Sequence, residues 1–175
     1  MKRIAIQGEL GSFHDIAAHQ YFEGEQIELI CCATFEGVFE NIKRDPTVVG
    51  ICAIENTIAG SLLHNYELLR ESGTTVVGEH KLHIEHSICC LPDDDWSSLQ
   101  EVHSHPVALM QCGKFLANHP DLKAVEAEDT AGSAAYIAQH KVHGWAAICS
   151  AYAAHMYGMK VLQEEIHDNP HNYTR

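Results

Sequence analysis

The side chains best able to bind or activate a small polar ligand fall in four short segments. They are Gly11-Ser12-Phe13, Asn56-Thr57 with Gly60-Ser61, Ser104-His105-Pro106, and Asp129-Thr130-Ala131-Gly132. Each lies where a strand is predicted to give way to a helix. A helix start presents backbone N–H groups without intrahelical partners and the positive end of the helix dipole. Small residues there let an anion approach the backbone closely. Four such starts could hold a dicarboxylate without a basic patch. The same residue types are also ordinary N-caps. Asn56 reads equally as a turn residue, Gln111 as the border of an apolar helical stripe, and Asn172-Tyr173-Thr174-Arg175 as a frayed tail. Spacing alone defines an α/β small-anion binder and no reaction.

The elements that must position these segments alternate along the chain. Ile4–Gln7, Ile27–Cys32 and Val48–Ile54 read as strands, with helices predicted over 12–22, 35–43 and 60–71. In the second of these helices Phe35, Val38, Phe39 and Ile42 share one face. Strand, helix, strand in this order predicts parallel pairing with right-handed crossovers and an α/β fold. Beyond Gly73 the pattern turns extended over 74–77 and 82–91. A helix is then predicted over 106–118, a strand around Val125, a helix over 131–139, a strand over 145–149, a helix over 150–157 and a strand over 159–166. Two α/β clusters joined by extended segments predict two lobes with a ligand cleft between them. Lobe 1 is expected to comprise 1–78 and 160–175, and lobe 2 to comprise 79–159, with a double crossover near 78–91 and 161–166.

Composition bounds the partners. The 175 residues are 46% apolar, enough for a real core, and acids outnumber Lys plus Arg by 24 to 11 for a net charge of −13. Such a surface opposes nucleic acid and anionic membranes as partners. No apolar run is long enough to span a bilayer. The N-terminus reaches Gln7, Gly8 and Glu9 before a signal-peptide core could form. Seven Cys in strand-like contexts, including Cys31-Cys32 and Cys89-Cys90, read as reduced, buried thiols of a cytoplasmic protein.

Six separated segments, in order, resemble the signature of the prephenate dehydratase family. Gly8-Glu9-Leu10-Gly11-Ser12-Phe13 resembles Gly-Pro-x-Gly-Thr-Phe, and Ile54 to Ser61 resembles Ile-Glu-Asn-Ser-x-x-Gly-Ser. Ser104 to Cys112 resembles Ser-His-Pro-Gln-Ala-Leu-x-Gln-Cys, and Asp129 to Ala135 matches the Asp-Thr-Ala segment. Ala146 to Met159 resembles Ala-Ala-Ile…Tyr-Gly-Leu. Ile166-His167-Asp168 with Asn172 to Arg175 resembles Ile-x-Asp…Asn-x-Thr-Arg-Phe. Each is weak alone; six in register across the chain are specific.

The resemblance implies a three-layer αβα fold in two lobes, similar to those of type 2 periplasmic binding proteins, and a cytoplasmic homodimer. It implies a lyase that converts prephenate to phenylpyruvate for phenylalanine biosynthesis, with no cofactor and no metal. It places Thr174 as proton donor to the departing hydroxyl, with Asn56, Ser104 and Gln111 orienting the ring and its leaving group. Ser12, Ser61, Thr130 and the backbone near Ala131 are the expected carboxylate contacts, and Arg175 either joins them or salt-bridges within its own lobe. Three departures stand out. Glu9 replaces a Pro, Val107 replaces a Gln, and the family pattern continues past Arg175 with Phe and usually an ACT regulatory domain, so feedback inhibition is expected to be absent from this chain. Arogenate as substrate, and a non-catalytic binding module, are the alternatives.

His80, His83 and His86 are spaced by three, but on the strand predicted there His83 faces away from the other two, poor geometry for a metal. His105 reads as a helix cap. His14 and Glu55 are possible bases that the implied reaction does not need.

Overall fold

The computed structural model describes residues 1–175. It divides into two compact units: unit 1 is Met1–Glu9, Phe13–Ile84 and His171–Arg175, and unit 2 is Leu10–Ser12 and Glu85–Pro170. Along the chain the elements are β1 (Lys2–Gln7), α1 (Phe13–Tyr21), β2 (Ile27–Cys32), α2 (Phe35–Arg44), β3 (Val49–Gly50), β4 (Glu55–Asn56), β5 (Gly60–Ser61), α3 (Leu63–Ser72) and β6 (Leu82–His83). There follow β7 (Ser87–Cys90), β8 (Glu101–Ser104), α4 (Pro106–Gln111), α5 (Gly113–Ala117), β9 (Lys123–Glu126), α6 (Thr130–His140), β10 (Trp145–Cys149), α7 (Ala151–Met156), β11 (Lys160–Gln163) and β12 (Tyr173–Thr174).

In unit 1, β1 lies between β2 and β3, parallel to both. Successive side chains of a strand point to opposite faces. Ile4 and Ile6 accordingly pack with Ala18 and Phe22, and Ala5 packs on the other side with Val38 and Ile42. One helix covers each face, which is the expected three-layer arrangement. The Thr34 hydroxyl starts α2 by accepting from the Gly37 N–H at 3.2 Å.

Unit 2 repeats the plan around a five-stranded sheet of order β11-β7-β10-β8-β9. Strands β8, β9 and β10 run parallel, while β7 is antiparallel to both β10 and β11. Ile88, Cys90, Ala146 and Ile148 meet Ala108, Leu109 and Phe115 on one face. Cys89, Ala147 and Cys149 meet Ala131, Ala134, Ile137 and Ala153 on the other. Strands covered on both faces need unbroken apolar runs, which is why these segments show no alternation.

Several expectations are corrected. The predicted strand over 159–166 pairs as β11 with β7, so 160–170 belong to unit 2, and the chain passes between units at 9/10, 12/13, 84/85 and 170/171. The run 82–91 is two strands in different units, β6 and β7. The helix predicted over 106–118 breaks at Cys112, because the Asp168 carboxylate accepts from the Lys114 N–H at 3.0 Å and starts a new helix there. Cys31 is exposed on β2, whereas Cys89 and Cys90 are buried on opposite faces as expected. A small antiparallel sheet of order β5-β4-β12-β6 in unit 1 was not legible in the sequence, since its strands are only two residues long.

Ile148 is fully buried in the first of unit 2's two cores. Ile148→Ala is expected to lower stability by about 2–5 kcal/mol, while Val77→Ala, at a side chain 75% exposed, changes it by less than about 0.5 kcal/mol. Urea denaturation of the two variants checks this.

Candidate active site

Asn56 and Thr174 are directly paired residues of neighbouring strands β4 and β12. The Asn56 Oδ1 accepts from the N–H groups of Ile58 and Ala59, both at 2.9 Å, which fixes the tight turn between β4 and β5. Its Nδ2 therefore points the other way and donates to Asn172 Oδ1 at 2.8 Å and to Thr174 Oγ1 at 3.0 Å. A carboxamide has two donor hydrogens and two acceptor lone pairs, and Asn56 uses all four within unit 1. One of these four bonds holds Thr174. Because Thr174 Oγ1 accepts from Asn56, its own hydrogen remains to be donated.

The terminal segment is ordered by the same sheet. Thr174 pairs with Leu82 on its other side, and the Arg175 N–H donates to the Glu55 carbonyl at 2.8 Å. His83 stacks on Tyr173 at 4.6 Å, and Lys81 Nζ lies 4.4 Å from the centre of the Tyr173 ring. The Thr57 hydroxyl donates to the His171 carbonyl at 2.6 Å. The Arg175 guanidinium pairs with Glu55 at 2.8 Å, with Glu79 at 3.7 Å and Tyr66 as further partners. Of the two roles weighed for Arg175, the contacts within unit 1 are those of the structural one. The frayed-tail reading is overturned.

In unit 2 the Ser104 hydroxyl, fully buried, donates to the Ile148 carbonyl at 2.6 Å. Its hydrogen is committed to the backbone, so toward a ligand Ser104 is an acceptor. Gln111, at the end of α4, faces His86 with 2.8 Å between Oε1 and Nε2. Burial lowers the pKa of His86, against a smaller opposing effect of Gln111, and nearby His167 lowers it further. Burial thus disfavours the charged His86 ring. Sequence reasoning missed both His86 and Asn172. Asn172 lay inside a quoted motif, and His86, between β6 and β7, was weighed only as one of three spaced histidines and set aside as a metal ligand.

The remaining expected contacts fare unequally. Ser12 is buried, in a segment tied to unit 2 by the Tyr157 hydroxyl, which donates to the Leu10 carbonyl at 2.5 Å. Gly11 there has φ +87°, and a side chain would meet Ala153 at 3.2 Å, so only Gly fits. Ser61 is exposed on β5 and does not start a helix, since α3 begins after Leu62 with no side-chain cap. Thr130 opens α6, but the Asp129 carboxylate already accepts from the N–H groups of Gly132, at 2.5 Å, and Ala131. An anion at Ala131 would have to compete with that carboxylate. Burial raises the Asp129 pKa, opposed by these hydrogen bonds. His105 caps α4, its Nδ1 accepting from the Val107 N–H at 3.2 Å.

The family profile for prephenate dehydratase matches residues 4–175, and the chain belongs to that family. It is 36% identical over 174 residues to arogenate dehydratase 1 of Petunia hybrida, covering 99% of this chain and 41% of the relative. It is 33% identical over 175 residues to the bifunctional chorismate mutase/prephenate dehydratase of Escherichia coli K12, covering 99% of this chain and 45% of the relative. A solved structure described as GqqA, a novel type of quorum quenching acylase, superposes with a TM-score of 0.86 at 30% identity, covering 98% of this chain and 61% of the other. The chain thus spans less than half the length of the two curated relatives. No helix is long and apolar enough to cross a membrane.

Two predictions follow from the site. Asn56→Ala removes the donor to the buried Asn172 oxygen and is expected to cost about 1–3 kcal/mol in denaturant unfolding. His14, whose ring nitrogen Nε2 is buried without a partner, has its pKa lowered by burial to about 4 from 6.5, against a smaller effect of a Gln7 backbone hydrogen bond. The unfolded chain binds that proton near 6.5 and the folded chain only near 4, so acidification through this window favours unfolding by up to about 3 kcal/mol. In His14→Phe, which keeps a ring against Phe35, the slope of stability against pH should flatten between these values.

Proposed function

We propose that this chain catalyses the decarboxylative dehydration of prephenate to phenylpyruvate. The observation that carries the reading is the Asn56–Thr174 hydrogen bond, which leaves Thr174 a donor, in a chain that belongs to the prephenate dehydratase family. In the reaction the ring carboxylate departs as CO₂, its bonding electrons enter the ring, and the 4-hydroxyl leaves with an added proton as water. Aromatisation supplies the driving force, so the protein need only assist the leaving group and hold the geometry.

In this reading Thr174 donates to the departing hydroxyl and recovers its proton from solvent, with Asn56 holding it. Ser104 accepts from the substrate, and the Gln111 amide donates to it. Ser12 and Thr130 contribute to carboxylate binding. The reading carries with it a cytoplasmic homodimer that works without cofactor or metal.

Arogenate is the second reading, favoured by the 36% identity to a relative named for it. Incubation of the chain with each substrate, followed by absorbance of phenylpyruvate in alkali or by chromatography of phenylalanine, gives the ratio of kcat/KM that separates them. Hydrolysis of acylated substrates serves as the control suggested by the likeness to the acylase. Thr174→Ala is expected to lower kcat about a hundredfold or more, and Thr174→Ser to restore most of it. Turnover of neither cyclohexadienol would sink the dehydratase reading; unchanged kcat in Thr174→Ala would sink the role of that residue.

A further inference from the structure

The two ends of a Gln carboxamide are nearly the same shape and differ only in which hydrogen bonds they make. A Gln that must present its amide to a ligand therefore needs a partner that selects the oxygen. We propose that His86 is the positioning residue of Gln111, holding its carboxamide oxygen so that the amide faces the substrate; this rests on the dehydratase reading.

The geometry is built from both sides. His86 is 2% exposed and Gln111 8% exposed, so neither is free to swing into solvent. The Nε2 of a neutral imidazole that carries the ring hydrogen donates to Gln111 Oε1 across the 2.8 Å contact. The backbones of both residues are then tied to one short segment, Ile166-His167-Asp168. The Ile166 N–H donates to the His86 carbonyl at 2.9 Å, and the His86 N–H donates to His167 Nδ1 at 3.3 Å. The Asp168 N–H donates to the Gln111 carbonyl at 2.7 Å, and its carboxylate starts α5 two residues after the end of α4. One three-residue segment thus fixes the distance between a ring and the amide it orients. Burial disfavours the charged ring, and a neutral ring offers a single hydrogen and a single polarity.

The test has an arm that reads turnover and an arm that does not. His86→Phe keeps a ring and loses the donor; it is expected to lower kcat tenfold or more, on the order expected for a misoriented group, with a smaller change in KM. His86→Gln, whose amide can reach the same oxygen, should recover most of the loss. In a Gln111→Ala background His86→Phe should cost less than about twofold further, because there is no amide left to orient. An equal loss in both backgrounds would assign His86 to packing alone and overturn the proposal. Nitrogen-15 NMR of the wild-type chain gives the ring tautomer directly: hydrogen on Nε2 supports the proposal, and hydrogen on Nδ1 overturns it. If the wild-type chain turns over no substrate, the dehydratase reading falls, and the tautomer still decides whether His86 orients Gln111.

Discussion

The Asn56 carboxamide is the constraint on which the rest of unit 1's polar chemistry depends. Its oxygen is claimed by two N–H groups of the turn that follows it, and this alone decides where its two hydrogens go. One reaches the buried Asn172 and the other Thr174, both from the far end of the chain. A turn closed by local contacts therefore dictates the hydrogen-bond polarity of a hydroxyl more than a hundred residues away. Without Asn56, β12 would still find backbone partners on β4 and β6, but the direction of the Thr174 hydrogen would be unspecified.

Unit 2 solves the related problem by other means. Ser104 donates to a β10 carbonyl and so becomes an acceptor, the reverse of Thr174. Two hydroxyls of nearly the same chemistry thus carry opposite polarity because one faces a donor and the other a carbonyl. The Gln111 oxygen is met by an imidazole instead of backbone N–H groups. A helix end cannot supply free N–H groups, since the last turn of a helix exposes carbonyls, so a side chain from outside the helix has to take their place.

How much of this was legible in the sequence follows from what each feature is made of. The apolar run Trp145–Cys149 gave β10 its observed bounds, because burial on both faces writes itself into consecutive residues; Ile27–Cys32 gave those of β2, although only Cys32 in it is buried. The α/β class followed from their alternation with helices, and the three-layer plan from the family resemblance. The β4–β12 sheet was invisible: two-residue strands carry no periodicity, and their partners lie far apart in sequence. Thr174, Asn56, Ser104 and Gln111 were found through motif resemblance, and spacing could not have chosen them over other polar residues. The four helix starts looked equivalent in sequence, yet Ser61 lies on a strand and Asp129 binds the N–H groups it was expected to leave for a ligand. His86 was weighed in the sequence only as a metal ligand, because its contact with Gln111 lies in another element.

On the proposed function, these arrangements would let an acidic chain act on an anion. The groups proposed to touch substrate are neutral hydroxyls and amides, and burial disfavours the charged form of the His86 imidazole. Burying a neutral polar group with its hydrogen bonds satisfied costs far less than burying a charge. Within each unit, charged residues of the same segments are tied up locally: Arg175 on Glu55, and the Asp129 and Asp168 carboxylates on helix-start N–H groups. With a net charge of −13, free carboxylates at the site would repel a dianion, whereas capped ones have part of their charge offset by helix dipoles. The chemistry proposed here therefore depends on fixed orientation of neutral donors and acceptors, and the carboxylates serve it by fixing the backbone that carries them.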